Sequence, residues 1–338
     1  VVAVTLVLFR RDENRRQAWA AARQIARCAW RRLREHPALT LIAFHAAAAE
    51  GLRGLLRPPL SWDSLMYHLP ITATWLQEGR ITAVFGMKPL AFYGHLPAGG
   101  AAWLWWWMAP SHSEFYVNLA YFPQTALLAL AVGGVARELG ARRSWPLAAY
   151  LTVLMPTVIR FAATQYVDIL VGACMASALF FALRWLHDPR WSSALLVGLG
   201  LGLASGAKVL GLAYALGLVP VAVLLAKREW RRRGAQILAA LLLCSLVGGY
   251  FYARNLALGT GPLAARCDEG DAQVQVVPSI PRINTVAFLW REMLDQGWLV
   301  DAFLGYTQSG LLEMGVGPQV LLLLPALLLP LGFSGNRR

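Results

Sequence analysis

The feature that most limits what this chain can become is a series of long apolar runs with no charge inside them. Residues 209–226 and 315–333 carry no charged side chain, and 169–186 carries only Arg184, near its end. Each run is close to the ~20 residues that cross a hydrocarbon core as a helix. Only 14% of the residues are charged, against about 25% in a soluble domain, so there is too little polar surface to wrap such helices in water. The sequence predicts an all-α polytopic membrane protein. A transmembrane β-barrel would show short segments of alternating hydropathy, and none are visible.

A net charge of +13 invites a nucleic-acid reading, but the placement of the charges argues against it. Of the 31 Lys and Arg, 21 fall in alternate inter-span segments. That is the positive-inside bias, and it needs no partner beyond anionic membrane lipids. The expected partners therefore include membrane lipids and no nucleic acid. Cys174 and Cys244 lie in apolar runs, Cys28 in an Arg-rich segment and Cys267 in a loop, with no CxxC spacing.

The chain opens on Val-Val-Ala-Val and reads as a piece of a longer protein. Residues 1–36 are expected to hold the tail of a span and a cytoplasmic segment with nine Arg, either a surface-lying amphipathic helix or a solvated loop. Residues 37–253 form the main transmembrane module, with a first outer loop at 57–113. Its spans are 37–56, 114–136, 145–161, 169–186, 191–207, 209–226 and 235–253. Residues 254–314 form a second outer region, and 315–338 a final span with a basic tail. This makes about eight full spans. Glu50 and Arg53 are expected near the outer interface, where long side chains reach headgroups. The segment Ala98–Ala109 holds four Trp but is too short to cross, so an interfacial helix is expected there. The run Gly198–Gly206 lacks a preceding strand and reads as a face for close helix packing rather than a nucleotide loop.

Ionisable groups at a membrane edge are costly and invite a functional reading. On this topology Asp63, His68, Asp168, Lys208 and Arg254 gather at the outer face. Asp63, in Trp62-Asp63-Ser64-Leu65-Met66-Tyr67-His68-Leu69-Pro70, can accept a proton as a general base or cap a helix. Tyr67 lies one helical turn on and can share its face. Asp168 opens a span, where it could divide acid/base work with Asp63 or simply suit the helix dipole. A divalent cation held by Asp63 and Asp168 is a further option, without dense ligand spacing behind it, so no cofactor is certain. Lys208 stands between two apolar runs with no acid nearby in sequence, so a lipid phosphate or snorkelling to headgroups would satisfy it. The Arg254 fork suits a phosphate or an interfacial anchor equally.

These residues resemble a known family. The pattern Trp-Asp-x-x-x-Tyr-His-Leu-Pro, followed by Trp75-Leu76-Gln77-Glu78-Gly79, is similar to the first outer loop of bacterial integral-membrane glycosyltransferases of the GT-C fold. These include the dolichyl-phosphate-mannose-protein mannosyltransferase-like and aminoarabinose-transferase-like enzymes. The resemblance runs through Ala136-Arg137-Glu138-Leu139-Gly140, Tyr166-Val167-Asp168, Gly202–Lys208, Arg254-Asn255 and Gly261-Pro262-Leu263. It implies a GT-C-like bundle with interfacial helices in the first outer loop. It implies a bacterial-type inner membrane location and a site facing outward. It also implies transfer of a sugar from a polyprenyl-phosphate-linked donor to a glycan, lipid or protein acceptor. Asp63 would be the catalytic carboxylate and Asp168 its counterpart in the second loop. Tyr67 and His68 would bind substrate, and Lys208 and Arg254 would hold the lipid phosphate. The chain departs from the family at Tyr93-Gly94-His95-Leu96-Pro97, where some members have a Glu-Lys-Pro-Pro-like run, and in having a single acid in the second loop. The alternative reading is a lipid or small-solute transporter or flippase using the same polar residues. Gly- or Pro-broken spans in matching halves would favour it, and the sequence pattern shows none.

Overall fold

The computed structural model describes residues 34–59, 61–81, 91–226, 230–259 and 261–262, with scattered positions between 16 and 31. The expected partial span at 1–9, most of the Arg-rich segment, Cys28, Lys227, Leu263, Cys267, nearly all of the second outer region and the final span lie outside the described residues. The chain divides into two units, Val1–Ala46 and Ala47–Arg338. Apart from the start of α1, which lies in the first unit, everything below concerns the second.

The described residues are mostly helical, with no strand among them. The elements are α1 (Pro37–Leu56), a π-helical turn (Ser64–His68), α2 (Leu69–Glu78), a 3-10 turn (Ala91–His95), α3 (Gly99–Met108), α4 (Phe122–Glu138), α5 (Trp145–Val153), α6 (Pro156–Ala162), α7 (Asp168–His187), α8 (Trp191–Ala207), α9 (Val209–Ala226), α10 (Trp230–Gly248) and α11 (Tyr250–Ala257). Leu130, Leu216, Leu242 and Leu246 stand exposed along these helices, as expected of surfaces in contact with lipid.

Three described stretches are long and apolar enough to cross a membrane: Pro37–Leu56, Val117–Glu138 and Asp168–His187. Two bent pairs raise the number to five if each is one span. α8 and the first part of α9, through Leu218, are shorter apolar helices.

The bends correct the expectation of unbroken spans at 145–161 and 235–253. α5 and α6 meet at 60°. Pro156 has no N–H to give the helix and pushes Met155 into an extended conformation (φ −62°, ψ 125°). α10 and α11 meet at 63° across Gly248-Gly249. A Cβ at Gly248 would stand 2.2 Å from Ser205 Oγ, so the small residue there lets α10 close onto α8.

α8 lies at the centre, against α7 on one side and α10 on the other, and α4 packs on α7. The glycine run sets this closeness. A Cβ at Gly198 would sit 2.2 Å from Ala240 O and one at Gly202 2.8 Å from Cys244 O. On the opposite face of α8, a Cβ at Gly200 would sit 2.8 Å from Cys174 O. The run is a packing face on both sides. The start of α7 meets the α8–α9 junction through Asp168 and Lys208, and the end of α7 meets the start of α10 through Arg233, which donates to the carbonyls of Trp185 and Leu186. One end of the bundle therefore gathers the starts of α4, α7 and α9 with the ends of α6, α8 and α10–α11. The other end gathers Arg137, Arg142, Arg143, Arg184, Arg190 and Arg233.

The Trp-rich segment is α3, a helix of 10 residues and so about 15 Å long, half a hydrocarbon core. It packs on α2 through Ile71, Trp75 and Ala101, and Trp103 Nε1 donates to Ala120 O at 2.8 Å. The α1 end is held by Asn118, whose amide donates to Gly54 O (2.7 Å) and Arg57 O (2.9 Å). Glu50 and Arg53 of α1 are paired with each other.

Candidate functional site

The site starts from the π-turn. Pro70 has no N–H to donate to Met66 O, so the i→i−4 ladder is interrupted there. Leu69 N–H donates instead to Ser64 O, one residue further back. Such widened turns recur at functional sites. Here the turn sets Asp63, Tyr67 and His68 side by side.

Tyr67 Oη donates to Asp63 Oδ2 at 3.0 Å. The other carboxylate oxygen of Asp63 has no hydrogen bond among the described residues. Asp63 makes no side-chain cap to the helix that follows, so the capping reading fails. Burial, then the Asp63 carboxylate, and then Tyr93 and Asp168, push the Tyr67 hydroxyl far above the usual phenol range. It stays protonated and donates. Asp63 and Asp168 thus both act on this one phenol. His68 is buried, and burial and the Lys208 ammonium push its imidazole down to about 3, so the ring is neutral at physiological pH.

The second couple lies across from the first. Lys208 Nζ donates to both oxygens of Asp168, at 2.8 and 3.0 Å. Lys208 is the single extended residue (φ −156°, ψ 144°) between α8 and α9. Asp168 is the first residue of α7, where a carboxylate suits the helix dipole. The sequence offered Lys208 no nearby acid and left a lipid phosphate or headgroups to satisfy it. The structure supplies an acid from 40 residues away.

Arg254 is the candidate that moves furthest from expectation. Its guanidinium donates to Gly94 O (2.8 Å) and to Asn255 Oδ1 (3.2 and 2.9 Å). Asn255, almost fully buried, donates to His95 O at 2.7 Å. Together they clamp the 91–95 turn, and Arg254 does not line the cavity described below. The clamp presents Tyr93, whose ring stacks on Tyr67 at 4.2 Å and 8°. In the sequence Tyr93 stands only as part of the departure from the family pattern. The signal was there: Tyr93-Gly94-His95-Leu96-Pro97 echoes Tyr67-His68-Leu69-Pro70, and the two tyrosines meet.

A cavity of about 170 Å³ opens among these groups, lined by Tyr67, His68, Tyr93, Ala98, Val167 and Lys208 with a few apolar neighbours. Asp63 and Asp168 stand just behind it, each hydrogen-bonded to a lining residue. Of the five groups expected to converge, His68 and Lys208 meet at the wall, Asp63 and Asp168 support it, and Arg254 acts one turn away.

The donor set does not suit a divalent cation. Among the described residues no three His, Cys, Asp or Glu cluster, and both Asp168 oxygens already accept from Lys208.

No family model matches the chain, and no curated protein or solved structure matches it either.

Proposed function

We propose that this chain is a GT-C-like membrane glycosyltransferase that moves a sugar from a polyprenyl-phosphate donor to an acceptor hydroxyl at the outer face of a bacterial-type inner membrane. One observation carries the reading. The couples Asp63–Tyr67 and Asp168–Lys208 frame a cavity at one end of a bundle of apolar helices, the end away from the Arg cluster. The positive-inside bias assigns that Arg-rich end to the cytoplasm, so the cavity faces outward, away from soluble nucleotide sugars. The seven helical stretches would make an eight-span bundle with the 315–333 run, which lies outside the described residues.

In the proposed reaction the acceptor oxygen attacks the anomeric carbon with inversion. The sugar–oxygen bond to phosphate breaks, and its electron pair stays on the phosphate. The free oxygen of Asp63 takes the acceptor proton, while Tyr67 holds the other oxygen in place. Lys208, fixed by Asp168, faces the charge that develops on the leaving phosphate. His68 and Tyr93 complete the wall. Arg254 supports it through the 91–95 turn rather than by touching phosphate.

The test is transfer of radiolabel from a panel of polyprenyl-phosphate sugars into glycan, lipid or protein by membranes holding the full-length protein. No transfer from any donor would sink the reading. A transporter has one observation in its favour, the two broken helices, each interrupted at Pro or Gly. Against it, transporter sites sit near the bilayer midplane, and this cavity lies at the helix ends beside Asp168 and Lys208. Uptake or flipping of label without covalent transfer would establish the transporter instead.

A further inference from the structure

A second cavity, of about 120 Å³, lies between α7, α8 and α10 in the half of the bundle that ends at the Arg cluster. Among the described residues it shares no lining side chain with the first. At its deep end Leu218 of α9 packs with Ala178 and Leu201. Leu241, on its wall, is 41% exposed, so the cavity is reached from the lipid side of α10. Among the described residues the wall holds one amide and no charge. That amide, Gln236, is spent: Oε1 accepts from Trp185 Nε1 at 2.6 Å, and Nε2 donates to Pro189 O at 3.1 Å. A polar guest would find no partner there, so the walls suit hydrocarbon. Left empty, the space forfeits dispersion contacts that such a guest restores.

Length and mouth narrow the guest further. From Gln236 to Cys244 the α10 wall runs about 12 Å, a little less than the ~15 Å hydrocarbon half of a bilayer. A helix from a second copy, about 10 Å across, does not fit this volume, whereas one acyl chain does. The mouth is cationic. Arg233 lies on the same stripe of α10 as Ile237, Ala240 and Cys244, at i, i+4, i+7 and i+11, and stands over the Trp185 ring. The Gln236–Pro189 bond holds the 188–190 turn against the start of α10 and so brings Arg190 to the same mouth. Asp188, the acid of that turn, is already paired with Arg190. The segment 227–233 carries five basic residues and one acid. Trp191, exposed at the start of α8, marks the headgroup level.

We propose that this cavity is a binding site for one anionic phospholipid of the leaflet at the Arg-rich end. One acyl chain fills the space between α7, α8 and α10, and the headgroup lies against Arg190 and the basic start of α10. The site differs from the general lipid contact of exposed leucines. Its guest is walled by three helices and selected by charge. The chain adds apolar contact between α7 and α10, which Trp185, Gln236 and Arg233 tie together only at their ends. The opposite end of α7 carries Asp168, so the lipid steadies the helix that fixes Lys208. The site stands on the cavity and the charges around its mouth and does not need the glycosyltransferase reading.

The experiment uses full-length protein in detergent with phosphatidylglycerol carrying a diazirine midway along one acyl chain. After illumination the labelled residues are mapped by mass spectrometry. Label is expected on 178–186, 194–201 and 236–244. Unlabelled phosphatidylglycerol should displace it about tenfold more effectively than phosphatidylcholine, between the worth of one and two basic residues beside a headgroup. Arg190→Gln should cut that preference about fivefold. Ala182→Phe, which fills the cavity from α7, should abolish label on 236–244, whereas Leu130→Phe, on the exposed face of α4, should not. Label spread evenly over exposed leucines such as Leu130 and Leu216 overturns the site, as does equal displacement by the two lipids. An unchanged preference in Arg190→Gln overturns the headgroup placement. The map on the unaltered chain decides the case even where Ala182→Phe fails to fold. Label in place with no sugar transfer from any donor would uphold the lipid site while sinking the glycosyltransferase.

Discussion

The two ends of α7 are built to opposite rules. At the far end the helix closes on itself. Arg233, 8% exposed, donates to the carbonyls of Trp185 and Leu186 at 3.5 and 3.4 Å and lies 5.0 Å over the Trp185 ring. Trp185 Nε1 donates to Gln236 Oε1 at 2.6 Å, and Gln236 returns a bond to Pro189 O at 3.1 Å. A cation caps the negative end of the helix dipole, and the polar groups that tie α7 to α10 satisfy one another. At the near end Val167 caps nothing, Lys208 keeps a donor in reserve and His68 has no hydrogen-bond partner for its ring among the described residues. One helix thus has a closed end that holds the bundle together and an open end with unspent hydrogen bonds. Unspent polar groups cost stability and are kept where function uses them.

The comparison breaks first at Asp63. Asp63→Asn removes a base but keeps an acceptor for Tyr67. Transfer should fall by about 10²–10⁴, the usual worth of a general base, while the melting temperature stays near wild type. Transfer at the wild-type rate would remove Asp63 from the chemistry. The next effect is acid lability. Burial holds His68 neutral down to about pH 3, whereas in the unfolded chain it takes a proton near pH 6.5. The stability contributed by the neutral ring is whole above about pH 6.5 and drains away as pH falls towards 3. By pH 4 the loss reaches about 3 kcal/mol. Hydrogen exchange at pH 4 should open α2 before α10, and His68→Gln should flatten that dependence. At the closed end, Arg233→Gln should cost about 2 kcal/mol by stripping donors from the carbonyls of α7, with transfer per folded molecule unchanged. A drop in transfer with no change in melting would mean that the ends are not separate.

Much of this architecture is legible in the sequence, for identifiable reasons. Apolar runs and alternating basic loops are counted directly, so a helical membrane protein follows from composition and order. The packing face at Gly198–Gly206 is readable because small residues at helical spacing permit only close approach. What could not be read is pairing over distance. Nothing local in the sequence tells Lys208 that Asp168 will arrive at 2.8 Å, or tells Arg254 that its fork will be spent on Gly94 rather than on a ligand. Periodicity also overlooks bends that depend on one Pro or a Gly pair, which is why two expected spans proved broken.

Asp168→Asn sharpens the contrast with Arg233. The Asp168–Lys208 pair is about a third exposed, so solvent screening limits its loss to about 1 kcal/mol or less. Transfer should nonetheless fall about tenfold, because Lys208 loses the partner that aims its remaining donor. Stability loss without activity loss at one end of α7, and the reverse at the other, is the signature to look for in paired melting and transfer assays.

The smallest expected effect is the most discriminating, because both ends contain a ring contact. Arg233 over Trp185 is a stabilising contact. Tyr93 on Tyr67, at 4.2 Å and nearly parallel, is a positioning contact for a phenol that itself holds Asp63. Tyr93→Ala forfeits about 1 kcal/mol of aromatic contact, and part of that appears as a several-fold drop in transfer because Tyr67 is free to swing from Asp63. Tyr93→Phe keeps the stacking surface and should restore most of the rate. If Ala and Phe at 93 transfer equally slowly, the stack does not position the carboxylate. The 91–95 turn would then be scaffold, like the closed end.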